Sequence, residues 1–269
     1  FIKKETLEST IHNKLLDLLK KYLLTGGLPD AINSFINDRN IFNIRKIQSD
    51  IYDYYGDNAS KYDKDYKLKI KRIYDLIPSN LENKKNRVVV KNIENIKGKR
   101  FSNYQDEFDY LINSGIALEV KAISTPVFPL IESSGKNLLK LYLNDVGLLS
   151  NILYKTNIKA ILNDEKSINL GTVYESVVAS KLKAHGHNLF YYDNKANGEV
   201  DFLIDDYDTL SFLPLELKSG KNYTIHSAIN KFLSNKSYNV KQGIVLSNEQ
   251  KIFEKNNILY LPIYFVMFL

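Results

Sequence analysis

The sequence predicts a mixed α/β protein, α+β overall, with helices first and a sheet last. Apolar residues recur at helical intervals through the first 80 residues, and two strand-like runs follow between 116 and 145. From 163 onward, helices and strands alternate. We therefore expect a helical region over 1–80, a winged-helix-like segment over 81–160 and an α/β sandwich over 163–269.

Composition limits the function classes. The 269 residues suffice for two hydrophobic cores. Cysteine is absent, which excludes disulfides and thiolate metal sites and favours the reducing cytoplasm. The longest apolar run, 258–269, is short and interrupted by proline, so we interpret it as a buried strand and expect no membrane role. The starting Phe1 and the single methionine, Met267, suggest a piece of a longer protein.

Charge is unevenly distributed along the chain. The formal net charge is +6, and residues 161–269 carry 11 Lys against 12 Asp and Glu. The first 160 residues therefore carry 26 basic and 19 acidic residues, or +7. A basic front and a near-neutral back predict two regions with different partners.

The helical region begins with a helix that Gly26 and Gly27 end, and Pro29 fits the first turn of the next one. Helical spacing then continues from 41 to 77, with a predicted break at Gly56–Asn58.

The middle segment has the outline of a winged helix. Ser102 precedes Gln105 by three residues, which predicts a capped helix ending at Gly115, and two strand-like runs follow. Asp145 is the expected N-cap of a helix over 146–154.

A basic stretch over 84–100 precedes that helix and could neutralise phosphates of DNA or RNA. The candidate nucleic-acid-binding residues are Lys91, Lys97, Lys99 and Arg100. The helix over 102–114 instead carries three carboxylates and no Lys or Arg, which favours use of the segment as a spacer or interface.

The last segment reads as helix, three strands, helix and strand. Side chains alternate along a strand, so Glu216 and Lys218 share one face of their strand. On the preceding strand, Glu199, Asp201 and Leu203 are likewise expected to share a face. If the two strands pair around the 205–210 turn, Asp201 and Glu216 approach closely enough to hold one hard cation.

Glu175 lies beside the apolar stripe of the preceding helix, where a charge needs a partner or a task. A helix Glu, a strand Asp and then Glu-x-Lys together resemble the PD-(D/E)XK phosphodiesterase core. The resemblance implies that Asp201 and Glu216 bind Mg²⁺ or Mn²⁺. It also implies that Lys218 activates water and that Glu175 supports the metal shell. All four are therefore candidate catalytic residues.

Four separated motifs extend the resemblance over most of the chain: "YLLTGGLPDAINSFI", "LKLYLNDVGLLSNIL", "GTVYESVVASKLKAHGHNLFYYDNKANGEVDFLI" and "LPLELKSGKN". They resemble the C-terminal region of prokaryotic AAA-type ATP-binding proteins, domain of unknown function 4143. That family places a P-loop ATPase domain before this region. The present sequence lacks GxxxxGK[ST], so we expect ATP to act only through that other domain.

Two functions therefore stay open. One is a metal-dependent, nuclease-like effector domain acting on DNA or RNA under control of its ATPase domain. The other is a catalytically inactive, nuclease-like module that recognises a protein or a nucleic acid. The plainest alternative for the charged residues is a surface hairpin with an exposed Glu–Lys pair. The sequence does not predict an oligomeric state.

Overall fold

The computed structural model describes residues 5–59, 67–83, 86–96, 98–133, 138–163, 165, 170–218, 224 and 227–269. The chain divides into two compact units. The first comprises Phe1–Leu19, Val120–Lys136 and Lys181–Leu269, and the second comprises Lys20–Glu119 and Asn137–Ser180. Among the described residues, no helix combines the length and the apolar character that a membrane crossing requires.

Helices occupy most of the chain before residue 185. Their bounds are α1 Ser9–Thr25, α2 Pro29–Asn37, α3 Ile41–Ala59, α4 Lys67–Glu82, α5 Lys91–Glu94, α6 Gln105–Asn113, α7 Val146–Tyr154, α8 Ile158–Leu162, α9 Leu170–Ala184 and α10 Ser227–Ser234. The strands are β1 Ala117–Ile123, β2 Leu139–Leu143, β3 Phe190–Asn194, β4 Gly198–Asp206, β5 Ser211–Lys218, β6 Gly243–Ser247, β7 Phe253–Lys255 and β8 Ile258–Pro262. The predicted mixed α/β class is confirmed.

In the second unit, local signals at the first helix boundaries work as predicted. Gly26 has a φ of 74° and its N–H bonds to Tyr22 O at 2.8 Å, which ends α1. Pro29 then opens α2. The predicted break at Gly56–Asn58 is wrong, because α3 continues to Ala59. A Cβ at Gly56 would lie 3.0 Å from Lys71 Nζ and 3.5 Å from the Tyr74 ring, so this glycine allows close packing on α4.

In the middle segment, the predicted N-cap of α7 is confirmed and the predicted N-cap of α6 is wrong. Asp145 caps α7, because its Oδ1 accepts from the N–H groups of Gly147 and Leu148. Ser102 does not start α6. It lies inside a short 3₁₀ turn, Phe101–Tyr104, where Asn103 accepts the Arg100 N–H at 2.8 Å. The winged-helix assignment for 81–160 stays a prediction.

In the first unit, strand order runs β1-β3-β4-β5-β6-β8-β7. Strands β3, β4 and β5 are successively antiparallel, whereas β6 runs parallel to β5 and β8 parallel to β6. The order α9, β3, β4, β5, α10, β6 confirms the predicted succession of helix, three strands, helix and strand.

One face of this sheet packs against α10 and the turns around it. The resulting core cluster consists of Ile123, Leu130, Phe190, Tyr192, Val200, Leu203, Phe212, Ile229, Phe232, Tyr238, Val245, Ile258 and Tyr260. The chain then ends in a 3₁₀ segment, Ile263–Phe268, so the prediction of one strand over 258–269 is correct only for its first five residues.

Candidate active site

Strands β4 and β5 bring three of the predicted site residues together in the first unit. Phe202 pairs with Leu215, so extending the antiparallel register by one residue sets Asp201 opposite Glu216. The Asp201 Oδ2 accepts the backbone N–H of Leu217 at 2.7 Å, which holds this carboxylate across the two strands.

Glu216 and Lys218 form an ion pair next to Asp201. Lys218 Nζ lies 2.7 Å from Glu216 Oε1, and the side chains are 31% and 7% exposed, respectively. The second oxygen, Glu216 Oε2, is buried and has no hydrogen-bond partner among the described residues. A buried oxygen without a protein partner is uncommon in native proteins, and this one has a lone pair that a ligand or water can use.

A β-bulge in β4 affects how the acidic side chains are directed. Tyr192 pairs with Val200 and Phe190 with Leu203, so three steps on β4 match two steps on β3. Val200 and Leu203 consequently enter the same core cluster. Glu199 lies before the bulge and alternates normally with Val200, so its side chain points to the opposite face of the sheet from Val200 and Leu203. The predicted grouping of Glu199 with Leu203 is therefore wrong, because the bulge interrupts strict alternation.

Glu175 lies on α9 within the second unit and has partners of its own there. Its Oε2 accepts from Tyr142 OH at 2.8 Å and from Asn86 Nδ2 at 3.1 Å. Lys140 Nζ lies 4.0 Å from the same oxygen, and the Lys140 side chain is only 1% exposed. The helix carboxylate is thus part of a buried polar network, and its predicted role in a metal shell stays a prediction.

Sequence reasoning missed the partners of Glu175. Asn86 and Tyr142 are 89 and 33 residues away along the chain, and no motif marks either of them. Lys140 alternates with apolar residues on β2 as any exposed strand lysine would. Only tertiary packing reveals that it is buried.

A metal ion would find two carboxylates in the first unit, those of Asp201 and Glu216. No group of three or more His, Asp or Glu side chains is gathered for metal binding within the described part of the chain. Mg²⁺ needs fewer, because it is commonly bound through one or two carboxylates and keeps several waters. The buried, unpartnered Glu216 Oε2 fits such an ion.

The predicted nucleic-acid-binding residues lie in the second unit. Lys91, Lys99 and Arg100 are exposed, and Lys97 is outside the described residues. Glu94 lies among them. The hydrogen bond from the Tyr104 hydroxyl, at 2.6 Å, keeps the pKa of Glu94 below its ordinary value, and nearby lysines act in the same direction. The surface is therefore basic with one ionised carboxylate within it.

Comparison with known families matches two models to the chain. The model described as "Domain of unknown function (DUF8612)" matches residues 16–159, and "Domain of unknown function (DUF4143)" matches residues 170–266. Among the curated proteins and the solved structures, no similar one is found. The predicted resemblance to domain 4143 is therefore confirmed for the sheet-forming segment, whereas the preceding residues match a different family. The chain belongs to the DUF8612 family, and its C-terminal segment matches the DUF4143 model.

Proposed function

We propose that the β4–β5 site makes this chain a nuclease-like effector domain that cleaves phosphodiester bonds in DNA or RNA with Mg²⁺ or Mn²⁺. One observation carries the proposal. The buried Glu216 Oε2 lacks a partner, although Lys218 is close by and Asp201 lies opposite. This combination offers a cation two oxygen ligands and leaves an ammonium beside it.

Each side chain has a defined task in this proposal. Asp201 and Glu216 would hold the ion, which when bound lowers the pKa of a water and stabilises negative charge on phosphate oxygens. Lys218 keeps its Nζ next to Glu216 and is partly exposed, so it can orient a water and offset charge on the scissile phosphate. The Leu217 N–H fixes the Asp201 carboxylate, which reduces the reorganisation needed for binding.

The basic residues Lys91, Lys99 and Arg100 support a nucleic acid as substrate, because exposed cations contact phosphates without reading sequence. The resemblance to AAA-type ATP-binding proteins supports an ATPase domain before this region. We therefore include that domain as the partner that couples ATP binding to the effector, in the cytoplasm.

A second function is an inactive, nuclease-like module that binds a protein or a nucleic acid. Two contacts favour it. The 2.7 Å ion pair with Lys218 already neutralises Glu216, and Glu175 is fully engaged with Tyr142 and Asn86. In such a module the site residues contribute only to packing and recognition.

Metal binding is tested by thermal unfolding of the full chain during titration with Mn²⁺. The wild type should gain about 2.7 kcal/mol at an ion concentration 100 times the Kd. Asp201→Asn and Glu216→Gln should lose that gain. Asp208→Asn is the matched control, because Asp208 lies exposed in the β4–β5 turn and its change removes the same charge. Equal stabilisation of all four proteins would contradict a metal site here.

Cleavage is tested separately on single- and double-stranded DNA and RNA. Metal-dependent cleavage that Lys218→Ala abolishes would support the enzyme. Metal binding without cleavage of any of these substrates would instead assign the chain to the inactive module. Cleavage that persists in Lys218→Ala would show that another site is responsible.

A further inference from the structure

Arg45 in α3, which is remote in sequence from the β4–β5 residues, is buried, and its hydrogen bonds to the described residues all come from one guanidinium nitrogen, Nη1. Arg45 is 6% exposed. Its Nη1 donates to Gln48 Oε1 and to Ser150 Oγ, both at 2.9 Å, and also faces Leu24 O at 3.3 Å and Gly147 O at 3.4 Å. These acceptors, including backbone carbonyls of α1 and α7, satisfy one nitrogen of the guanidinium.

The other edge of the guanidinium has no acceptor within the described part of the chain. Arg45 Nε and Nη2 are buried, and neither has a hydrogen-bond partner among the described residues. These two nitrogens flank the same edge, so their N–H groups form the parallel fork that binds two oxygens of one oxyanion. Burial lowers the pKa of Arg45 to about 10.

Arg45 lines a cavity of about 470 Å³ in the second unit. Its lining includes two further cations, Lys46 and Lys155, both exposed, together with the hydroxyl of Ser49 and one exposed carboxylate, Asp53. Three cations therefore face one anion. The volume falls within the range of small-molecule sites, which is roughly 300–1,000 Å³.

We infer that this cavity binds a small phosphorylated molecule, with the phosphate monoester on the Nε and Nη2 edge of Arg45. A phosphate monoester carries close to two negative charges at neutral pH, which matches the surplus of cations better than a single carboxylate does. Arg45 Nε and Nη2 are both buried in this structure, so binding of the phosphate requires a local shift of the atoms that cover them. A compact ligand suits that access better than a nucleic-acid backbone.

The inference is tested by isothermal titration of the full chain with phenyl phosphate at constant ionic strength. The wild type should bind saturably at one site. Arg45→Lys keeps the charge but loses the fork, and should weaken binding at least about tenfold. Lys46→Gln and Lys155→Gln should each weaken it several-fold. Lys159→Gln is the matched control, since Lys159 is exposed and does not line the cavity.

The rim variants keep the test decisive if Arg45→Lys does not fold, because Lys46 and Lys155 are exposed. Absence of saturable binding by the wild type would overturn the inference. Equal weakening by Lys46→Gln, Lys155→Gln and Lys159→Gln would also overturn it, since it would indicate diffuse attraction. Tighter binding of a dinucleoside phosphate diester than of phenyl phosphate would assign the cavity to a nucleic-acid backbone instead.

Discussion

Two carboxylates that the sequence assigns to one site, Glu175 and Glu216, have different surroundings. Glu175, in the second unit, is 14% exposed and is contacted by a phenol, an amide and a buried ammonium. Glu216, in the first unit, is 7% exposed and has one oxygen paired with Lys218 and the other without a partner. Glu175 is partly buried and both of its oxygens accept from protein donors, whereas Glu216 is buried and has one oxygen without a partner among the described residues.

The difference separates two uses of a buried charge. A carboxylate whose lone pairs are all occupied by protein donors holds the fold together, and removing it leaves its partners unpaired. A buried carboxylate oxygen without a protein partner costs stability and leaves a lone pair that a cation can use. In the proposed function Glu216 binds the ligand, whereas the contacts of Glu175 are those of a structural residue, and stability measurements can test this distinction.

The largest effect is expected for Glu175→Leu. This change removes a carboxylate beside the buried Lys140 ammonium and an acceptor of the Tyr142 hydroxyl. We expect a loss of about 3 kcal/mol in the free energy of unfolding, measured by urea denaturation. Asp50→Leu, at an exposed position of α3, is the control and should change stability by less than about 0.5 kcal/mol. If Glu175→Leu lowers the free energy of unfolding by less than about 1 kcal/mol, Glu175 is not more important for stability than Glu216.

A much smaller effect is expected for Glu216→Leu without added metal. Leucine has a similar volume, it eliminates the unpartnered oxygen, and Lys218 is exposed enough to extend its ammonium into water. The free energy of unfolding should change by less than about 1 kcal/mol in either direction, as seen when buried ions are replaced by apolar residues. A loss as large as that of Glu175→Leu would mean that Glu216 is structural too.

The smallest effect concerns a third buried ionisable group, His12 in the first unit. His12 is 5% exposed and shares a 2.9 Å hydrogen bond with the Tyr264 hydroxyl. Burial lowers the pKa of His12 below 6.5, although the Asn248 backbone and the Glu249 charge oppose the shift. The unfolded chain then binds a proton more readily, so stability should fall as the pH drops from about 6.5 through the folded pKa. His12→Gln should flatten the melting temperature against pH between 8 and 5, and an unchanged slope would contradict this role.

Local features were predictable because their causes are local. Pro29 at the start of a helix, Gly26 after one and Asp145 as an N-cap each depend on a few neighbouring residues. Gly56 misled the prediction, because glycine also serves close packing between helices, and sequence alone does not separate this from a break.

The antiparallel pairing of β4 with β5 was likewise predictable, because strand period and turn length determine it. The bulge that redirects Glu199 was not, since it arises from a mismatch between two strands rather than from either one. The engagement of Glu175 and the burial of Arg45 depend on residues distant along the chain. Sequence patterning therefore identified the charged residues, but it did not show which of them have hydrogen-bond or ion-pair partners.

The Asp145 carboxylate also has a consequence for synthesis of the chain. Its Oδ2 accepts the Gly27 N–H at 2.6 Å, from a residue 118 positions earlier in the chain, while its Oδ1 caps α7. The turn after α1 therefore gains this acceptor only when residue 145 has left the ribosome. At roughly 5–20 residues per second, the first helices wait several seconds for that bond. During this interval the Gly27 N–H depends on water for its hydrogen bond.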